Sequence, residues 1–216
     1  MQLPDLQGYL PQFLDALQLT VALAMLAMAA AMVIGLLLAG LRMSNAVLLR
    51  APALAYIEVM RNTPLLLQIY IIYFGLPLVG IELSSFYCGV LGIALQHSAF
   101  LAEIYRAGIE NVAQRQREAA KSLGMSRLQS LRLVVLPIAA RKVVPVIGNQ
   151  LVILVKDTSL VASIGVLEMT LTAKKMIERT GASFEVFLLV AILYLGLTTL
   201  LGIGLRCLEG WQQRRS

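Results

Sequence analysis

Residues 16–41 carry no charged side chain. Wound as an α-helix, these 26 residues rise about 39 Å, more than the ~30 Å hydrocarbon core of a bilayer. A water-soluble domain has no place for such a run. Four further apolar stretches follow at 62–81, 83–105, 143–167 and 186–205. Charged residues make up 14% of the chain and the mean hydropathy is +0.80, against about 25% charged in soluble domains. The pattern predicts an all-α membrane protein, one transmembrane domain over residues 1–216 with five transmembrane helices. The first run is too long for the apolar region of a signal peptide, and residues 1–11 hold no Lys or Arg; it is expected to remain as an anchor. Its many small residues, such as Ala24, Ala27, Ala31 and Gly35, suit close packing on other helices.

Five spans put the termini on opposite sides. With the N-terminus outside, the inner segments 41–62, 106–142 and 206–216 hold 14 of the 18 Lys and Arg residues. The positive-inside rule therefore selects N-out/C-in. The net charge of +6 is then mostly topology and calls for no nucleic acid or acidic substrate. Cys88 and Cys207 read as small apolar residues, and no metal-ligand spacing occurs. His97, the single histidine, reads as a hydrogen-bonded packing residue inside a span. There is no phosphate-binding glycine loop, nucleophile elbow or H-E-x-x-H. Any energy must come from a partner; no catalytic residues and no cofactor are expected in this chain.

The longest charged passage lies at 114–137, Q-R-Q-R-E-A-A-K-S-L-G-M-S-R-L-Q-S-L-R-L-V-V-L-P. Its first half favours helix, Gly124 supplies a C-terminus, and Ser126 can cap a second short helix that Pro137 stops. Composition alone leaves an amphipathic hairpin at the headgroups and a docking element for a cytoplasmic protein open. A nucleic-acid helix-turn-helix fits a membrane chain poorly.

The residues themselves go further. Glu118-Ala119-Ala120, Gly124 and Val134-x-Leu136-Pro137 resemble the EAA loop of ABC importer permeases, with Val134 where isoleucine is usual. The resemblance implies a cytoplasmic coupling hairpin over 110–137, with Glu118, Ala119, Ala120, Gly124 and Pro137 making or shaping the contact to an ATPase. Other segments resemble the polar amino acid branch of these permeases. They include Tyr56-x-Glu58-x-x-Arg61-Asn62-Thr63-Pro64 with Gln68, Ala102-Glu103-Ile104-Tyr105-Arg106, and Lys156-Asp157-Thr158-Ser159-Leu160. Asn62, where glycine is commoner, and Ile138, where glutamine is usual, depart from the pattern.

Ionisable groups inside a span cost about 2.5–3.5 kcal/mol each on insertion scales, so each needs a reason. Lys156 and Asp157 can neutralise each other; alternatively Asp157 lines a translocation path and receives an amino group. Asn149, Gln68 and Tyr70 are further path candidates. Glu103 with Arg106, and Glu58 with Arg61, stand three apart and can pair along a helix.

The resemblance implies the ABC type I importer permease fold. The implied partners are two ATPase subunits using ATP and Mg, a second permease subunit, an extracytoplasmic solute-binding protein and the lipid of the cytoplasmic membrane. The implied activity is alternating-access import of polar amino acids. A permease for another small solute, such as methionine or an anion, and a passive channel or membrane scaffold are the alternatives.

Overall fold

The computed structural model describes residues 6–112 and 114–213, which are helical almost throughout and contain no strand. Helix α1, Leu6–Arg42, is 37 residues long. One face of it, with Ala16, Thr20, Leu23, Ala24, Ala27, Ala31 and Ala39, is buried at steps of three and four. The opposite face, with Met25, Met32, Val33 and Leu36, is exposed and apolar. That face suits lipid or another apolar helix rather than water.

Helix α2, Val47–Asn62, leads into α3, Leu65–Gly75, which a 3-10 turn, Leu76–Val79, extends. The sequence pattern places a single uninterrupted span from residue 62. The structure instead breaks the chain at Thr63-Pro64, where α2 and α3 meet at 108°. The cause is local. Thr63, preceding a proline, is pushed to φ −109°, ψ 143° and cannot continue the helix.

A helix that ends here leaves the carbonyls of its last turn without helical partners. Two glutamines supply them. Gln68 Nε2 donates to Met60 O at 3.0 Å and Thr63 Oγ1 at 2.6 Å. Gln96 Nε2 donates to Thr63 O at 2.9 Å and Met60 O at 3.3 Å. Gln68→Leu or Gln96→Leu should each cost about 1–3 kcal/mol, read as a lower melting temperature of the purified protein. The double variant should lose more than the sum, because each amide serves the same two carbonyl groups in the other's absence.

Helix α4, Ser85–Glu110, is the hub. It packs against α1, α2, α3 and the fourth span, and its buried residues are mostly small: Gly89, Gly92, Ala94, Ser98, Ala99, Ala102 and Gly108. Those small side chains let Val161, Ile69 and Val143 of neighbouring elements seat directly on its backbone.

After α4 come α5, Gln114–Ser122, and α6, Arg127–Ser130. A π-helical turn, Leu131–Val135, then joins α6 to α7, Leu136–Asp157. Pro137 therefore does not stop the second hairpin helix. It sits in the first turn of α7, where a missing N–H costs nothing, and the wider turn before it absorbs the misfit.

Helix α7 runs without a break through Lys156-Asp157 into a 3-10 segment, Thr158–Ile164. The charged residues Lys174, Lys175, Glu178 and Arg179 lie on helix α8, Met169–Thr180. Its Met169, Ala173 and Met176 are buried against Phe13, Ala16, Val186 and Val190, with Lys174, Lys175 and Arg179 left outside. Helix α9, Ser183–Gln213, closes the chain. Three of these helices are long and apolar enough to span a bilayer, or five if each bent pair counts as one.

Candidate functional site

Two regions hold the residues singled out above. The first is the hairpin between α4 and α7. Helix α5 ends in a tight reversal: Met125 N donates to Ala120 O at 3.1 Å and Gly124 N to Lys121 O at 2.9 Å, with Gly124 at φ +75°. This is a Schellman end, which satisfies the last carbonyls and requires a left-handed residue. Ser126 and Gln129 cap α6 reciprocally, each side chain accepting from the other's backbone N–H at 2.9 and 3.3 Å.

Glu118, Ala119, Gly124 and Pro137 are exposed, whereas Ala120 is buried. Leu123, Leu128 and Leu133 are also exposed, the first at 77%. A hairpin carrying exposed leucines among arginines has an amphipathic surface available to a partner. Its base is fixed: Val112, Val135 and Ala139 pack together, and Lys142 Nζ donates to Asn111 O at 3.0 Å.

An ionic cluster anchors α4 just before the hairpin. Glu103 accepts from Arg106 Nη2 at 2.7 Å and Nε at 3.0 Å, and Arg42 of α1 lies 3.5 Å from the same carboxylate. Arg106 also pairs with Glu110. Glu58 and Arg61 do not pair with each other. Glu58 accepts from Asn62 Nδ2 at 3.1 Å, while the Arg61 guanidinium stands 5.5 Å from the Phe100 ring centre. With the helix ending at Asn62, that amide reaches back one turn and takes the carboxylate, and the aromatic face of α4 takes the cation.

The second region is a polar thread through the core. Gln150 Nε2 lies 2.9 Å from His97 Nδ1, and His97 Nε2 lies 3.0 Å from Asp157 Oδ2. Asp157 thus turns to His97 and not to Lys156, which is exposed. His97 is 1% exposed; the Asp157 side chain remains 32% exposed. Asn149 is on the outer face of α7, and its neighbour Gln150 is the residue that turns inward.

A cleft of about 420 Å³ opens beside Gln150, with Arg61, Phe100, Glu103 and Lys142 on its walls. Gln68 and Tyr70 lie elsewhere. Gln68 holds the break between α2 and α3, and Tyr70 packs in the main core beside Phe74.

Gln150 and Glu168 escape a reading of the sequence. Gln150 stands seven residues before Asp157, two helical turns, and that spacing is the signal that puts both on one face. Glu168 is fully buried, caps α8 by accepting from Leu171 N at 2.9 Å, and accepts from the Tyr194 hydroxyl at 2.8 Å. Its signal is a lone acid between apolar residues just before an amphipathic helix. Among the described residues no cluster of His, Cys, Asp and Glu could hold a metal.

Residues 9–213 match the family described as binding-protein-dependent transport system inner membrane component. The chain belongs to that family. It is 36% identical over 197 residues to the probable glutamine ABC transporter permease protein GlnM of Bacillus subtilis, covering 91% of each chain. It is also 36% identical over 202 residues to the glutamine transport system permease protein GlnP of Escherichia coli K12, covering 93% of this chain and 92% of that one. The nopaline transport system permease protein NocM of Agrobacterium fabrum is 34% identical over 212 residues, with 93% and 88% covered.

Among solved structures, a chain of the crystal structure of an amino acid ABC transporter with histidines superposes with a TM-score of 0.93 at 35% identity, covering 100% of both chains. A chain of the inward-facing MetNI methionine ABC transporter gives a TM-score of 0.80 at 17% identity, with 95% and 98% covered, and shares the fold. The architecture is that of an ABC type I importer permease.

Proposed function

We propose that this permease is the membrane-spanning subunit of an ATP-driven, binding-protein-dependent importer of polar amino acids. The observation that carries the reading is the near full-length likeness to permeases named for glutamine, nopaline and other amino-acid transport. The amphipathic hairpin, rigid at its base and exposed at its tip, supports a contact with an ATPase that uses ATP and Mg. In this reading the chain lies in the cytoplasmic membrane, N-out/C-in, with the hairpin inside. A second permease subunit, the same or related, completes the path, two ATPase subunits dock on the hairpins, and an extracytoplasmic binding protein delivers the solute. Asp157, partly exposed and held by the buried His97, is the group on the path.

The mechanism is alternating access. ATP binding draws the ATPase pair together, and each hairpin passes that displacement to α4 and α7 through the packed base around Val112, Val135 and Lys142. A ligand shifts a conformational equilibrium only by binding the two states unequally, so the hairpin must engage the ATPase differently in each.

Uptake of labelled arginine, glutamine and glutamate, in cells with and without the gene, tests the reading. Deletion is expected to remove uptake of one class and the restored gene to return it. Unchanged uptake of all three would refute the amino-acid assignment, and uptake that survives ATP depletion would refute the energised one.

A further inference from the structure

Another cleft, of about 460 Å³, opens between α1 and α8. Its apolar lining includes Leu19 and Leu167; its polar lining includes Gln12 and Asp15 of α1, and Lys175 and Arg179 of α8. The two cations are four residues apart, one above the other on a single face of α8. Opposite charges lining one cleft would ordinarily close on each other. Here, among the described residues, no ion pair joins Asp15 to either cation, and all three side chains are exposed. The cleft thus presents a carboxylate on one wall and two cations on the other, held apart.

Depth decides what can bridge them. Asp15 is the last charged residue before the uncharged run 16–41, and Leu167 ends the apolar stretch 143–167. The apolar lining therefore belongs to the ends of two spans, and the charged groups stand just beyond, at the level of the phospholipid headgroups. This holds whichever way the chain crosses the membrane. Leu26 and Val33 follow Leu19 on α1 at steps of seven, on the same face, and are 49% and 62% exposed. A hydrocarbon chain leaving the cleft finds that apolar stripe leading into the bilayer.

We propose that this cleft seats the headgroup of a lipid of the phosphatidylethanolamine class. Lys175 and Arg179 take the phosphate, and Asp15 takes the primary ammonium, whose N–H groups supply the donors a carboxylate accepts. A glycerol headgroup brings no cation to Asp15. A choline headgroup brings one without an N–H. Both therefore leave the carboxylate without a donor. The site goes beyond the importer reading and does not depend on it, since it needs only the membrane.

Native mass spectrometry of the full-length protein in detergent, titrated with phosphatidylethanolamine, phosphatidylcholine or phosphatidylglycerol, reads the Kd of the first lipid bound. Phosphatidylethanolamine is expected to bind about fivefold more tightly than the other two, the upper end for an exposed ion pair. Asp15→Asn should erase that preference and leave phosphatidylglycerol binding no weaker. Lys175→Gln combined with Arg179→Gln should weaken all three lipids. Glu82→Gln removes an exposed acid from the turn between the second and third spans and should change nothing. Equal Kd values for the three lipids in the wild type, a preference that survives Asp15→Asn, or its loss in Glu82→Gln would overturn the proposal. So would displacement of bound phosphatidylethanolamine by free glutamine, because the cleft would then hold a soluble zwitterion.

Discussion

Gly124→Val is expected to reach the membrane at the wild-type level and to lose ATP-driven uptake, by about ten- to thirtyfold. Gly124 sits at φ +75°, a conformation that costs a residue with a Cβ about 1–2 kcal/mol, and a β-branched one more. That penalty corresponds to roughly a tenfold or larger fall in the population of the native turn. Nothing lies within 4 Å of the place a Cβ would occupy, and the position is exposed, so the loss is confined to the end of α5. The helices of the membrane domain stay packed while the hairpin frays.

Gly124→Asn separates conformation from contact. Asparagine tolerates the left-handed region, so this variant should keep most of the uptake. Failure of both variants, with normal insertion, would place the partner's surface directly against the glycine. Normal uptake by the valine variant would remove the hairpin from the coupling route.

The contrast between this hairpin and the buried thread shows what a one-dimensional reading can reach. Charge is scarce in this chain, so the polar passage at 114–137 stands out, and Gly124 and Ser126 carry turn and cap chemistry that acts over three or four residues. The break at Thr63-Pro64 is equally local, yet it falls at the very start of the uncharged run 62–81, which a charge count reads as one span. Gln96, 33 residues away, joins the nearby Gln68 in meeting its carbonyls.

Gln68 shows the same limit. A polar side chain in an apolar run is legible; whether it faces a path or a backbone carbonyl depends on where the chain turns. His97, Gln150 and Asp157 come together across 53 and 60 positions. No periodicity links α4 to α7, so their meeting emerges only when the helices pack. Helix α8 adds a different lesson. Its four charged residues at 174–179 mask a buried stripe of Met169, Ala173 and Met176, whose spacing of four and three is helical.

Gly35→Ala should destabilise this protein more than Gly108→Ala, although the clash at Gly108 is the shorter. The helices α1 and α4 share the most extensive contact among the described elements, and Gly35 of α1 lies against the α4 backbone at Ser98 and Ala102. A Cβ at that position would stand 2.9 Å from Leu101 Cβ, 2.9 Å from Ser98 O and 3.3 Å from Ala102 N. These are backbone atoms and the first side-chain carbon, which no rotamer change can move. The helices must therefore separate, at an overpacking cost of about 1–3 kcal/mol.

Gly108 provides the comparison. There a Cβ meets Val143 Cγ2, a methyl that rotation about one bond can withdraw, with the nearest backbone atom, Ala139 O, at 3.7 Å. Gly108→Ala should thus be the milder variant despite the shorter clash, and alanine's better helix propensity offsets part of its cost. Thermal unfolding of the two purified variants, followed beside the wild type in one detergent, decides the order. A melting temperature for Gly35→Ala at or above that of Gly108→Ala would mean that α1 and α4 do not approach at Gly35 as closely as the structure has them.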